Sequence, residues 1–316
     1  MTSKMKLSWK CLSLSLTFAL SACGGGGGGS STPATPLTSA QILGATKSAN
    51  SAGWILSSVD GLQGAGLSYL SLLSTTSGTN TTTSVLSVCT TGAYSATWNI
   101  SDITRWTSGD TITLNLTNCV KGDGYTYNGT ETYTVTTVTY GTSTLDVTIT
   151  SDLTHLTVST PNSVLSSTPL TTLTFTSNNT QLTRTTTWDS TQNYYTYPAT
   201  YQSSGSMLAT LNTSAGNIAS GTYTISQAKM EDIYSTSTAN TRQAFLVSSD
   251  GTYNNVVLKN MQAKSDNGGT VTYPKYLIAY ANAAIIATVS SATTTLSGEN
   301  SDGSLISSFI SYKYFD

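Results

Sequence analysis

The stretch Thr111-Ile112-Thr113-Leu114-Asn115-Leu116-Thr117-Asn118-Cys119 alternates apolar residues with hydroxylated or amide ones. A period of two puts Ile112, Leu114 and Leu116 on one face of an extended strand and their polar neighbours on the other. Threonine suits the outer face, because its branched Cβ favours extended backbone and its hydroxyl tolerates water. The pattern returns at Leu145-Asp146-Val147-Thr148-Ile149, at Leu173-Thr174-Phe175 and at Tyr223-Thr224-Ile225. Such alternation belongs to antiparallel sheets with one wet face, since the strands of parallel sheets are apolar on both faces.

Turn signals punctuate these runs at Asp123-Gly124, Asn128-Gly129, Asn178-Asn179, Ser204-Gly205, Ser220-Gly221, Asp250-Gly251 and Asp302-Gly303,. Connections this short leave no room for βαβ crossovers. The expectation is a mainly β fold. An antiparallel meander of about a dozen or more strands forms a curved sheet, an open barrel or a sandwich. The apolar, alanine-rich run from Leu277 to Val289 reads equally as a helix or as a buried strand.

Upstream the period changes. Thr38-Ser39-Ala40-Gln41 has the form of a capping box, and Ile42, Ala45, Ala49, Ala52, Leu56 and Val59 follow at steps of three and four,. The spacing predicts one N-terminal helix over about 38–73, packed on the domain's own sheet rather than offered to a partner. Gly61, Gly64 and Gly66 are expected to end its regular part, with Leu67, Leu70 and Leu73 adding a further turn.

The 316 residues carry a net charge of −2, with only 9% charged and 38% hydrophobic residues. Serine and threonine occupy roughly a third of the positions. This is enough apolar material for a core, and too little charge for a solvated disordered chain. Thirteen Lys and Arg, thinly spread, make no basic stripe, so no nucleic-acid partner is expected. The single histidine, His155, excludes any site that needs two imidazoles.

Lys4, Lys6 and Lys10 precede a short apolar run from Leu12 to Leu20. The run is too short to cross a bilayer, which takes about 20 apolar residues, and has the order of an export signal. Leu20-Ser21-Ala22-Cys23 follows. This tetrapeptide resembles the lipobox of bacterial lipoproteins, in which the cysteine is acylated and becomes the new N-terminus. The resemblance implies a signal peptide over 1–22 and lipidation of Cys23. Gly24, where such lipoproteins carry aspartate for inner-membrane retention, implies the outer membrane. Residues 23–36, from Cys23 through six glycines to Pro36, then form the lipidated end and a flexible tether. Residues 37–316 are left as one β-rich domain with a helical opening.

Of the four cysteines, Cys11 falls in the signal and Cys23 carries the lipid. Cys89 and Cys119 remain, and two thiols in an exported domain read as one disulfide. Cys89-Thr90-Thr91-Gly92, Ser108-Gly109-Asp110, Asn118-Cys119 and Asn128-Gly129 together resemble a pattern in β-rich proteobacterial lipoproteins. Those proteins often carry a calcium-loop-like turn between the cysteines. Here Ile100, Ile103, Arg105 and Trp106 replace most of the six to eight oxygens that calcium requires, so no metal is expected.

No catalytic constellation emerges. His155 lies in a strand-like run, and no G-x-S-x-G elbow accompanies it,. Glu231-Asp232 reads as a solvated turn. Tyr194, Tyr195, Tyr197 and Tyr201 cluster within eight residues and are the candidate ligand-contact aromatics. The expectation is a non-enzymatic protein without cofactor, lipid-anchored at the outer membrane, with a structural or binding role in the envelope. The alternatives are a carrier or sensor of apolar ligands, and a surface glycan-binding or adhesive module. The partners to match are the membrane through the lipid, and an envelope protein, a glycan or an apolar ligand.

Overall fold

The computed structural model describes residues 37–74, 86–102, 105–160, 171–176, 181–189, 200–213, 216, 218–233, 239–248, 253, 255–262, 265–267, 270–272, 275–281, 283–289, 294–300 and 310–312. Helix α1 (Ser39–Ser74) is followed by β1 (Thr91–Asn99), β2 (Thr111–Val120), β3 (Thr126–Tyr140), β4 (Thr144–Asp152), β5 (Thr157–Ser159), β6 (Thr172–Phe175) and β7 (Gln181–Asp189). Then come β8 (Thr200–Asn212), β9 (Gly221–Ile233), β10 (Ala239–Ser248), β11 (Val256–Gln262), β12 (Ser265–Asn267) and β13 (Thr270–Thr272). The last are β14 (Lys275–Tyr280), β15 (Ala283–Val289), β16 (Thr294–Asn300) and β17 (Ile310–Tyr312).

The protein is mainly antiparallel β, with one N-terminal helix packed on a large curved sheet that does not close into a barrel. The main path runs β1-β2-β3-β4-β7-β8-β9-β10-β11-β14-β15-β16-β17. β12 and β13 form a separate hairpin. The sheet forks where two long strands each serve two partners along one edge. β3 pairs with β4 over Thr132–Tyr140 and with β5 over Thr126–Asn128. β8 pairs with β7 over its first half and with β6 over its second. The run from Leu277 to Val289, open between helix and strand in the sequence, is the β14–β15 hairpin, with Tyr280 paired to Ala283 across its turn.

Curvature comes from bulges. Extra residues interrupt the register at Gly92 in β1, at Thr117-Asn118 in β2, at Thr136 in β3 and at Ser206 in β8. A bulge bends its strand and increases local twist. Two glycine pairs expected as turns prove to lie inside strands. Asn128-Gly129 sits in β3 beside the β2 bulge, and Ser204-Gly205 sits in β8 beside another. Gly129 has φ 112°, and a Cβ there would strike the carbonyl oxygen of His155. The hairpin between β2 and β3 turns at Asp123-Gly124 instead, where Gly124 N donates to Lys121 O. Glu231-Asp232 also lies within a strand, β9, and not in a turn. Asn178-Asn179, Asp250-Gly251 and Asp302-Gly303 lie outside the described residues.

The capping box forms as expected: Thr38 N donates to Gln41 Oε1 at 2.9 Å, and Gln41 N to Thr38 Oγ1 at 3.3 Å. The helix then runs through all five of its glycines for 36 residues, about 54 Å. It contacts strands from β2 to β15. Ser48, Ala49, Ser51, Ala52, Trp54, Ile55 and Leu56 are all buried, and seven such positions in nine residues make a buried face much wider than the stripe of a surface helix. A face this wide fits a curved sheet bent partly round the helix, which leaves Gln41, Gly61, Ser68 and Leu72 exposed on its other side. The buried hydroxyls are satisfied within the helix, with Thr46 donating to Ile42 O at 2.8 Å and Ser51 to Lys47 O at 3.0 Å,.

Of the three glycines expected to end the helix, Gly66 is where the sheet reaches its backbone, while Gly61 has open space around it. A Cβ on Gly66 would overlap the ring of Tyr133, and one on Gly44 the ring of Tyr253. The loss of helix propensity is offset by this close packing. On the outer face, threonines pair across strands, Thr113 with Thr132 at 3.0 Å and Thr148 with Thr185 at 2.9 Å,.

The Cys89–Cys119 disulfide is present, with Cα atoms 5.2 Å apart. It fastens the segment entering β1 to the end of β2, its antiparallel neighbour. Two stability tests follow from these contacts. Gly66→Ala should lower stability by about 1–3 kcal/mol through overpacking. Gly61→Ala, with nothing within 4 Å of the added carbon, should raise it by about 0.5–1 kcal/mol. Urea titration of the two variants should therefore give opposite signs. Reducing the disulfide, which closes a separation of 30 residues, should lower stability by roughly 3–4 kcal/mol. The reduced domain should keep a β-dominated circular dichroism spectrum and melt earlier.

Candidate functional site

Side chains on β2 and β3 point alternately inward and outward. On the inner face of β3, Tyr127, Glu131, Tyr133 and Val135 follow one another. Three of these carry polar groups into the space beneath the C-terminal half of α1. Lys121, the residue after β2, also turns inward and is buried. Its Nζ lies 2.6 Å from Glu131 Oε1, with side-chain exposures of 8% and 0%. The remaining carboxylate oxygen, Oε2, accepts a hydrogen bond from the Tyr133 hydroxyl at 3.1 Å.

Aromatic rings enclose the cation. Lys121 Nζ stands 4.3 Å from the centre of the Tyr127 ring and 5.9 Å from that of Tyr69 on α1. Ring faces attract cations, and more strongly where water is excluded. The Tyr127 hydroxyl donates to Asp123 Oδ2 at 2.5 Å. Tyr94 on β1 donates to the carbonyl of Leu86. Burial raises the pKa of the Tyr69, Tyr127 and Tyr133 phenols well above the ordinary tyrosine range. Nearby Glu131 adds to this for all three, and the hydrogen bond to Asp123 for Tyr127.

A second ionic contact ties the helix to the sheet. Arg184 on β7 is buried, and its Nη1 donates to Asp60 Oδ1 at 3.1 Å and to Asp60 O at 3.2 Å. Gly64, one turn further along α1, lies beside it: a Cβ there would make ordinary contact with Nη1 at 3.6 Å. Nearby, the Oγ of Ser151, opposite Tyr133 on β4, has no hydrogen-bond partner among the described residues. At the centre of the cluster one anion and one cation are in direct contact, with the Tyr133 hydroxyl on the carboxylate and the Tyr127 ring against the ammonium.

Of the residues singled out from sequence, Cys89 and Cys119 are brought together, and Cys119 lies on the same inner face as Lys121. Cys23, Tyr194, Tyr195 and Tyr197 lie outside the described residues. Tyr201 is in β8, paired with Thr186 and Asp232. His155 occupies an exposed turn with φ 67°, not a strand. Its backbone N donates to Phe175 O at 2.9 Å.

Lys121, Glu131 and Arg184 were missed. The signal was the parity of the strand: Glu131 is in phase with Tyr133 and Val135, and Arg184 with Leu182 and Thr186. A charge in the apolar phase of an alternating run faces the core. Its cost there is bearable only with a partner, and the partner is set by the fold.

The phenols give this site a pH signature. A tyrosine pKa raised in the folded state contributes stability that is complete below the unfolded value. That stability falls as pH rises past the unfolded value, about 10, toward the folded one. Tyrosinate absorbance should therefore show a group of phenols that ionise only when the domain unfolds in alkali. Tyr133→Phe should remove one phenol from that group. Free titration of all tyrosines in the folded protein near pH 10 would contradict the arrangement.

No family model, curated protein or solved structure matches the chain.

Proposed function

We propose that this chain is a lipid-anchored outer-membrane protein with a structural or binding role in the cell envelope. The observation that carries the reading is Leu20-Ser21-Ala22-Cys23, placed directly after a lysine-bearing start and a short apolar run,. The Cys89–Cys119 disulfide supports it, because such bonds persist in oxidising compartments outside the cytosol. Removing residues 1–22 removes three lysines and no acidic residue. The remaining chain is more acidic, so acyl groups rather than basic residues would hold it to an anionic bilayer.

The structural or binding role is favoured over carriage of apolar ligands by the position of α1. A carrier with a curved sheet holds its cargo on the concave face, and here the helix fills that face from β2 to β15. Contact with an envelope partner would then fall to the outer face, with its neutral rows of hydroxyls, or to the strand connections. Cys23→Ser in the full chain should abolish fatty-acid labelling and move the protein from the membrane fraction to the soluble one. Membrane retention equal to that of the parent chain would overturn the anchor.

A further inference from the structure

Lys121 and Glu131 meet under unusual conditions. Their side chains are 8% and 0% exposed, and the nitrogen and oxygen lie 2.6 Å apart. The second carboxylate oxygen is already held by a hydroxyl donor, Tyr133, which is itself fully buried. Two charges removed from water lose much of their hydration, and their mutual attraction repays only part of it. A neutral product of the same two side chains keeps the packing and removes that cost. Enforced proximity in a dry site also replaces the entropy that a bimolecular condensation would lose.

We propose that Lys121 and Glu131 are joined by an amide bond from Nζ to Cδ, a cross-link that the folded protein forms in itself across the β2–β3 hairpin. The reaction needs no other reactant. Nζ passes one proton to Oε1 along the existing hydrogen bond, leaving a neutral amine and a neutral acid. The amine lone pair attacks Cδ, forming the C–N bond and driving negative charge onto Oε2. The Tyr133 hydroxyl faces that oxygen and stabilises it, as an oxyanion donor does. The nitrogen then gives a second proton to the Oε1 hydroxyl. The Cδ–Oε1 bond breaks, one water departs, and Oε2 returns to a carbonyl that keeps its hydrogen bond to Tyr133. The Tyr127 ring, under Nζ at 4.3 Å, fixes the lysine for the attack. Tyr133 and Tyr127 are positioning residues, and the bonding atoms belong to Lys121 and Glu131 alone.

The spacing of cleavage sites makes the test direct. Between Arg105 and Arg184, Lys121 is the only lysine or arginine. The full chain is purified, reduced to open Cys89–Cys119, alkylated and digested with trypsin. With the cross-link, residues 106–184 remain one species, lighter than the sequence mass by one water, and fragmentation places the branch between 121 and 131. In Lys121→Arg, 106–121 and 122–184 should separate, each at full mass. Separate release of 106–121 and 122–184 at full mass from the parent protein would overturn the proposal. So would a water deficit that fragmentation places at any other residue.

Discussion

A helix packed along a wide face by its own curved sheet has little solvent-facing surface on which to place what does not fit. In α1 this constraint governs the choice of side chain at nearly every position. Gly44 and Gly66 stand where the rings of Tyr253 and Tyr133 come close, and Ile42, Ile55, Leu56 and Leu70 are fully buried elsewhere along the helix. Serine and threonine enter the apolar interior because each hydroxyl returns its proton to a carbonyl four residues back. The sheet meets the same constraint from outside. Its strands must bend round a cylinder about 10–12 Å across, and unpaired residues and in-strand glycines provide the bends,.

The polar contacts of the interior gather beneath the C-terminal half of the helix. There, Asp60 meets Arg184, and Lys121 meets Glu131 between the rings of Tyr69 and Tyr127. These groups cost free energy to bury and are held by one another. Asp60–Arg184 joins the helix to β7, and Lys121–Glu131 joins the two arms of the β2–β3 hairpin. The disulfide lies at the same end of the hairpin, so β1, β2 and β3 are tied together covalently and by charge.

This interior bears on function by occupying the concave face. Among the described residues, the outer faces of β2, β3, β4 and β7 carry rows of threonine hydroxyls paired across strands. A domain of this kind, anchored by acyl groups on Cys23 through a glycine-rich tether, would meet its partner by short-range contact and not by long-range attraction. Cross-links within it would resist pulling between anchor and partner.

The class of fold and the cysteine pairing were legible in the sequence by itself. Both follow from local rules: a side-chain period of two, a capping box, and two thiols left once Cys11 and Cys23 are assigned to the expected signal and anchor. The wet and dry faces of β2, β3 and β4 could be assigned residue by residue for the same reason. What only the tertiary structure decided is where distant segments meet. Gly66 reads as a helix end because propensity is local, whereas the ring of Tyr133 that makes it necessary comes from β3, far along the chain. Asn128-Gly129 and Ser204-Gly205 read as turns because a positive φ or a missing Cβ serves a bulge as well as it serves a hairpin. Glu131 showed by its phase that it faces inward. Its partner, reached by a lysine side chain stretched over Tyr127, depended on how β3 bends, and that bend is set by the helix it encloses.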